Sequence, residues 1–156
     1  MVMTNEVTGK PDLRMSRTFD APLDLVWEAW SNAEYLARWF TPRPGKSEDV
    51  VVELRTGGIF LLTMRFPVET GIGAHTMRAK FAEVILHGRI SFDTKVHGLD
   101  VHTTIDFSEA DGKTTLDVLQ QYSGDNDATR GAQAGWTSTL DNLADVVRSM
   151  KATKAS

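Results

Sequence analysis

His97, Asp100 and His102 lie close together in the sequence, and His75 would add a third imidazole, so a metal site is the first chemistry to consider. Zinc requires three or four ligands held tetrahedrally, and this spacing fits that loosely. His87-Gly88 and His97-Gly98 read as hairpin turns, and His102, alternating with Val101 and Thr103, points to solvent. No metal is expected. Nucleophilic catalysis has no better footing: Ser123-Gly124 follows a strand but lacks the preceding glycine of a nucleophile elbow. Gly57-Gly58 and Thr70-Gly71-Ile72-Gly73 lead into strands, so no helix N-terminus follows them to hold a phosphate.

General acid–base chemistry asks for less, a single polar group with a shifted pKa in an apolar cavity. Arg17, His75, Thr94, Thr103, Gln120 and Tyr122 are the polar residues that fall on otherwise apolar faces. Most such groups have a structural partner, and no pair with assigned roles emerges, so no catalytic residue is named. Gln120 and Tyr122 stand out because they end the last strand, just before the loop that feeds the final helix. Trp39, Phe40, Phe60, Met64, Phe66, Met77, Phe92 and Trp136 can line a pocket or fill a core; their types alone leave both open, with core the more frequent outcome.

The elements that must position these residues follow from periodicity. Leu13, Met15 and Phe19 alternate with polar neighbours as in a strand, which Asp20-Ala21-Pro22 ends. Leu23, Val26, Trp27 and Trp30 recur at helical spacing, and Ser31 with Glu34 has the S-x-x-E form of a capping box for a second short helix carrying Leu36, Trp39 and Phe40. From Val50 to Tyr122 the period is two, broken at Thr56-Gly57-Gly58, Pro67 to Gly73, His87-Gly88, Gly98 and Asp111-Gly112, which predicts about six antiparallel strands. Ser123 to Asp127 is a loop with several helix caps. Ala132, Trp136, Thr139, Leu140, Leu143, Val147 and Met150 then describe one long amphipathic helix, the one element long enough to cover the apolar face of the sheet.

The composition is that of an ordinary folded domain: 156 residues, 41% hydrophobic, 24% charged. A net charge of −4 without a basic cluster argues against nucleic acid. There is no cysteine, hence no disulfide, thiolate metal site or cysteine nucleophile. No signal peptide or membrane-spanning run is visible, and the helix at 128–150 lacks the basic stripe of a membrane-surface helix. The expectation is a cytoplasmic protein without a membrane partner. It has a frayed segment at residues 1–12, one domain at 13–151 and a tail at 152–156.

Arg17-Thr18-Phe19-Asp20-Ala21-Pro22 followed by Val26-Trp27-Glu28-Ala29-Trp30 resembles the opening of AHSA1-like domains, the Hsp90-ATPase-activator-homology branch of the START-like (SRPBCC, polyketide-cyclase) superfamily. Leu36-Ala37-Arg38-Trp39-Phe40 with Pro42, the Gly-Gly hairpin in Arg55 to Phe60, and Gly135-Trp136 with Leu140 and Leu143 are similar to further motifs of that family. The likeness runs from about Leu13 to Met150. It departs in a short stretch between Phe92 and Val101 and in Phe40, where a second tryptophan is frequent. The resemblance implies an α+β helix-grip fold, a curved seven-stranded antiparallel sheet wrapped round the C-terminal helix. It also implies a cavity between them for a small apolar or amphipathic molecule, with no cofactor. Trp39, Met64, Phe66, Met77, Phe92, Tyr122 and Trp136 would line that cavity, and His75 and Gln120 would be its polar anchors.

The family's name suggests an alternative, a chaperone-associated interaction module, although the N-terminal domain of the eukaryotic co-chaperone has no counterpart here. Cyclases and dehydratases of the superfamily suggest a second alternative, an acid–base enzyme. A homodimer is compatible with all three. Gly131 and Gly135 bear on the cavity. A glycine inside a helix costs about 0.8–1 kcal/mol against alanine, so two of them, four residues apart, mark either a close backbone contact or space left for a ligand beside Trp136. The second is the expectation.

Overall fold

Alternating burial along Leu13, Met15 and Arg17 forms β1 (Asp12–Phe19), the first strand of the computed structural model. The structure describes residues 12–96, 98–124 and 127–155; Met1–Pro11, His97, Asp125, Asn126 and Ser156 lie outside the described residues. Two short helices follow, α1 (Leu23–Ser31) and α2 (Ala33–Trp39). Then come six strands: β2 (Lys46–Val52), β3 (Ile59–Arg65), β4 (Ala74–Ile85), β5 (Arg89–Val96), β6 (Leu99–Ala110) and β7 (Lys113–Tyr122). A single 3-10 turn, Val68–Thr70, lies between β3 and β4. The long helix α3 (Asp127–Ala155) follows, and it continues past residue 151, where the expected domain gives way to a tail.

All neighbours in the sheet are antiparallel, in the order β1-β7-β6-β5-β4-β3-β2. The seven-stranded sheet, the two helices after the first strand and the long final helix are the helix-grip architecture expected from the sequence. The hairpins sit where their turn residues put them: His87 (φ 61°), and Asp111 (φ 55°) with Gly112 (φ 74°), adopt the left-handed conformations that tight hairpins need. Gly58 is required for a different reason. A β-carbon there would lie 2.0 Å from the Glu53 carbonyl oxygen.

Two local readings are corrected. The cap of α2 is Asn32, not Ser31: Asn32 Oδ1 accepts from the Glu34 amide at 2.8 Å, while Ser31 ends α1 and its hydroxyl donates to Glu28 O at 3.1 Å. Strand β2 begins at Lys46 rather than Val50. Its register shifts between Glu48 and Val51, and Asp49 has φ 53°, so the bulge breaks the alternation that would have announced the first half.

The core lies between the concave face of the sheet and the three helices. Trp30 and Trp39 meet edge-on at 4.8 Å, Phe40 meets Phe60 at 4.9 Å, and Phe60 stacks on Phe81 at 5.4 Å. Such edge and offset contacts are the favoured aromatic geometries. Leu140, Leu143, Val146, Val147 and Met150 of α3 are buried against them. The outer side of the helix is fastened by ion pairs, Arg17 to Asp141 at 2.6 Å and Arg43 to Asp145 at 2.7 Å, and by Asn142, which donates to Thr41 O at 3.0 Å.

Candidate functional site

The sheet divides at one end. The last pair between β4 and β5 is Ala79 with Thr94, yet β4 extends back to Ala74 and β5 on to Val96. Beyond that pair each strand keeps only its outer neighbour, β3 for β4 and β6 for β5. Thr94 Oγ1 donates to Arg78 O at 2.8 Å where the two strands part. Between this fork and the start of α3 lies a hollow of about 520 Å³.

Met64, Met77, Phe92 and Val101 form its sheet wall; Ala132, Gly135, Trp136 and Thr139 form its helix wall; Phe40 and Pro42 close a third side. His75 and Val96 lie in phase with the concave face, whereas Thr76 and Lys95 belong to the convex one. All four line the hollow, so it opens through the fork.

Polar groups occupy one wall. The Tyr122 hydroxyl donates to Gln120 Oε1 at 2.8 Å, and Gln120 Nε2 donates to Thr103 Oγ1 at 2.8 Å. Pairing of β6 with β7 places Thr103 beside Gln120 and Val101 beside Tyr122, which is why the three polar groups form a row. Burial, and then the negative charge of Asp12, raise the Tyr122 pKa above its ordinary value, so the phenol keeps its proton. At the fork His75 Nε2 lies 3.0 Å from Ile72 O; a carbonyl only accepts, so this nitrogen donates. Lys95 is held by Asp100 at 2.7 Å.

The fold thus brings Met64, His75, Met77, Phe92, Gln120, Tyr122 and Trp136 of the expected residues together around one space. Trp39 and Phe66 are not among them. Trp39 is fully buried against Trp30, with its indole nitrogen donating to Ala29 O at 3.0 Å, because it faces α1 rather than the sheet. Its neighbour Phe40, turned about 100° round the helix axis, takes that place. Phe66 lies past the end of β3 and packs over Gly45, where a β-carbon would come within 2.6 Å of its ring.

Thr94, Val96 and Leu99 also line the hollow. Thr94 and Val96 share the face of Phe92, a phase already legible in the sequence, and Leu99 pairs with Val96 across the β5–β6 hairpin. Gly135 lines it too, with only Pro42 Cγ, at 3.7 Å, near the position of an added β-carbon.

Among the described residues no three histidine or acidic side chains converge on a metal site. Asp100 and His102 do share a face, but β5 engages each separately, Lys95 on Asp100 and Asp93 on His102. No helix among the described residues is long and apolar enough to cross a membrane.

A curved sheet gripping one long helix defines a START-like helix-grip domain. The profile of the family described as "Activator of Hsp90 ATPase homolog 1-like protein" matches residues 20–148, and the chain belongs to that AHSA1 family. Among solved structures it is similar to a protein from Nitrosomonas europaea (TM-score 0.79, 23% identity, covering 94% of this chain and 99% of that one). It is also similar to a protein from Chromobacterium violaceum (0.77, 23%, 87% and 96%) and to an AHSA1-like protein from Aeromonas hydrophila (0.69, 24%, 88% and 93%). At these identities the likeness concerns the fold. No curated protein matches the sequence.

Proposed function

We propose that this domain binds a small, mainly apolar molecule in the hollow between the forked end of the sheet and the first turns of α3. The observation that carries this reading is the hollow itself. Its volume, about 520 Å³, falls within the span of small-molecule sites, and its apolar walls with a few convergent polar groups are the usual make-up of such sites. Met64, Met77, Phe92 and Trp136 would supply apolar contact, and His75, Gln120 and Tyr122 would orient the ligand. Trp39 packs edge-on against Phe40 of the lining at 5.4 Å.

The geometry favours binding over the two alternatives. A sealed core would suit an interaction module whose work is done on its outer surface, and this core is not sealed. An acid–base enzyme would be favoured by a desolvated histidine or carboxylate. No carboxylate among the described residues lines the hollow, and His75 is exposed.

Native mass spectrometry of the purified protein, with thermal unfolding against a panel of apolar and amphipathic compounds, tests the proposal. A ligand specific for the folded state adds about 2.7 kcal/mol at a hundredfold excess over Kd, enough to raise Tm measurably. Gly135→Leu, which fills the hollow from the helix side, is expected to remove that shift while the protein stays folded. A panel without any shift, together with no co-purified molecule, overturns the reading.

A further inference from the structure

The polar row on β6 and β7 carries a hydrogen-bond imbalance that bears on the ligand. Tyr122 donates to Gln120, and Gln120 donates to Thr103. Thr103 is fully buried, does not itself line the hollow, and finds no acceptor for its own hydroxyl proton among the described residues. A buried donor left unpaired costs free energy. Exchanging the oxygen and nitrogen of the Gln120 carboxamide keeps both contacts at 2.8 Å and reverses the order of donation. Thr103 then donates to Gln120 Oε1, and Gln120 Nε2 donates to the Tyr122 oxygen. The unmet hydroxyl proton now belongs to Tyr122, whose side chain lines the hollow, while Gln120 uses one of its two Nε2 protons in either orientation. Reversal therefore moves the unmet donor from a sealed position to one that a ligand can reach.

We infer that the ligand presents a neutral carbonyl-type acceptor to the Tyr122 hydroxyl, as an apolar ketone, aldehyde or ester does, and that binding fixes Gln120 in the reversed orientation. This rests on the hollow being the binding site, as proposed above. A carboxylate is a poorer match. Lys95, the cation in the lining, already holds Asp100 at 2.7 Å. Burial of the Tyr122 phenol, which keeps it protonated, is consistent with a donor role.

Two probes of nearly the same shape separate the inference from the reading beneath it: 2-acetylnaphthalene, with a carbonyl, and 2-ethylnaphthalene, without one. Dissociation constants are measured for both on the full chain and on Tyr122→Phe, which keeps the ring and removes the donor. The ketone is expected to bind the variant about fivefold to tenfold more weakly, the usual worth of one net hydrogen bond. The hydrocarbon is expected to change by less than about twofold, since it makes no such bond. Infrared spectra supply a second readout, with the bound ketone's carbonyl stretch lower in frequency on the unmodified protein than on the variant. If both probes bind and Tyr122→Phe alters them by the same factor, the carbonyl inference falls and the binding site stands. If neither probe binds the unmodified protein, both fall.

Discussion

The two halves of α3 live in different surroundings. From Thr139 onward the helix is fastened: Leu140, Leu143 and Met150 are buried, Asp141 and Asp145 hold arginines from β1 and from the loop after α2, and Asn142 reaches Thr41 O. From Gly131 to Trp136, among the described residues, no side chain hydrogen-bonds outside the helix, and two glycines thin the surface it presents. The sheet divides in the same way, an aromatic cluster at one end and a fork at the other. Stability is concentrated where packing is dense, and the binding proposal falls where it is sparse. A chain organised like this can vary its hollow without unmaking its core.

The sharpest way to break that comparison is to cut into the dense half. Trp39→Ala is expected to destabilise by about 3–5 kcal/mol, the usual loss for a fully buried large aromatic, with a matching fall in the chemical denaturation midpoint. A cost below about 1 kcal/mol would mean that the division into halves is false. Two glycine replacements sharpen it further. Gly58→Ala, which meets the Glu53 carbonyl at 2.0 Å, is expected to cost about 3 kcal/mol because backbone must move. Gly135→Ala, with one ordinary contact at 3.7 Å, is expected to stabilise by about 0.8 kcal/mol through helix propensity. Equilibrium denaturation of the pair checks the opposite signs.

The smallest effect concerns pH. Because the folded protein raises the Tyr122 pKa, its share of stability is present in full below the unfolded tyrosine value of about 10. It is lost as pH rises from there through the folded value. Ultraviolet titration is expected to show a late phenolate component that Tyr122→Phe removes.

The sequence announced the fold more plainly than the site, for physical reasons. Alternation and turn chemistry are local, so the strands from Phe60 to Tyr122 and their hairpins could be read residue by residue. The bulge at Asp49 hid half of β2 because a left-handed residue reverses the phase. Which apolar side chains line a hollow is a non-local matter. Trp39 and Phe40 are adjacent and equally apolar, the last residue of α2 and its C-cap, and the placement of α1 against α2 buries the first while the second lines the cavity. The fork was invisible for a related reason. Strand-forming residues continue through Ala74–Arg78 and Lys95–Val96, and no residue type marks where two strands cease to pair.

The edge strand β1 also shapes how the molecule must assemble. Every other strand is joined to a sheet neighbour by a short link, whereas β1 pairs only with β7, Phe19 against Thr114 and Asp12 against Gln121. On a growing chain β1 is made early and waits for nearly the whole domain before its partner exists. Closing so long a loop is slow, since its entropy is lost before any contact rewards it. During that interval Leu13, Met15 and Phe19 are an uncovered apolar edge. The ladder between β1 and β7 also sets Leu13 beside Gln120, so the polar wall of the hollow would be complete only once β1 has docked.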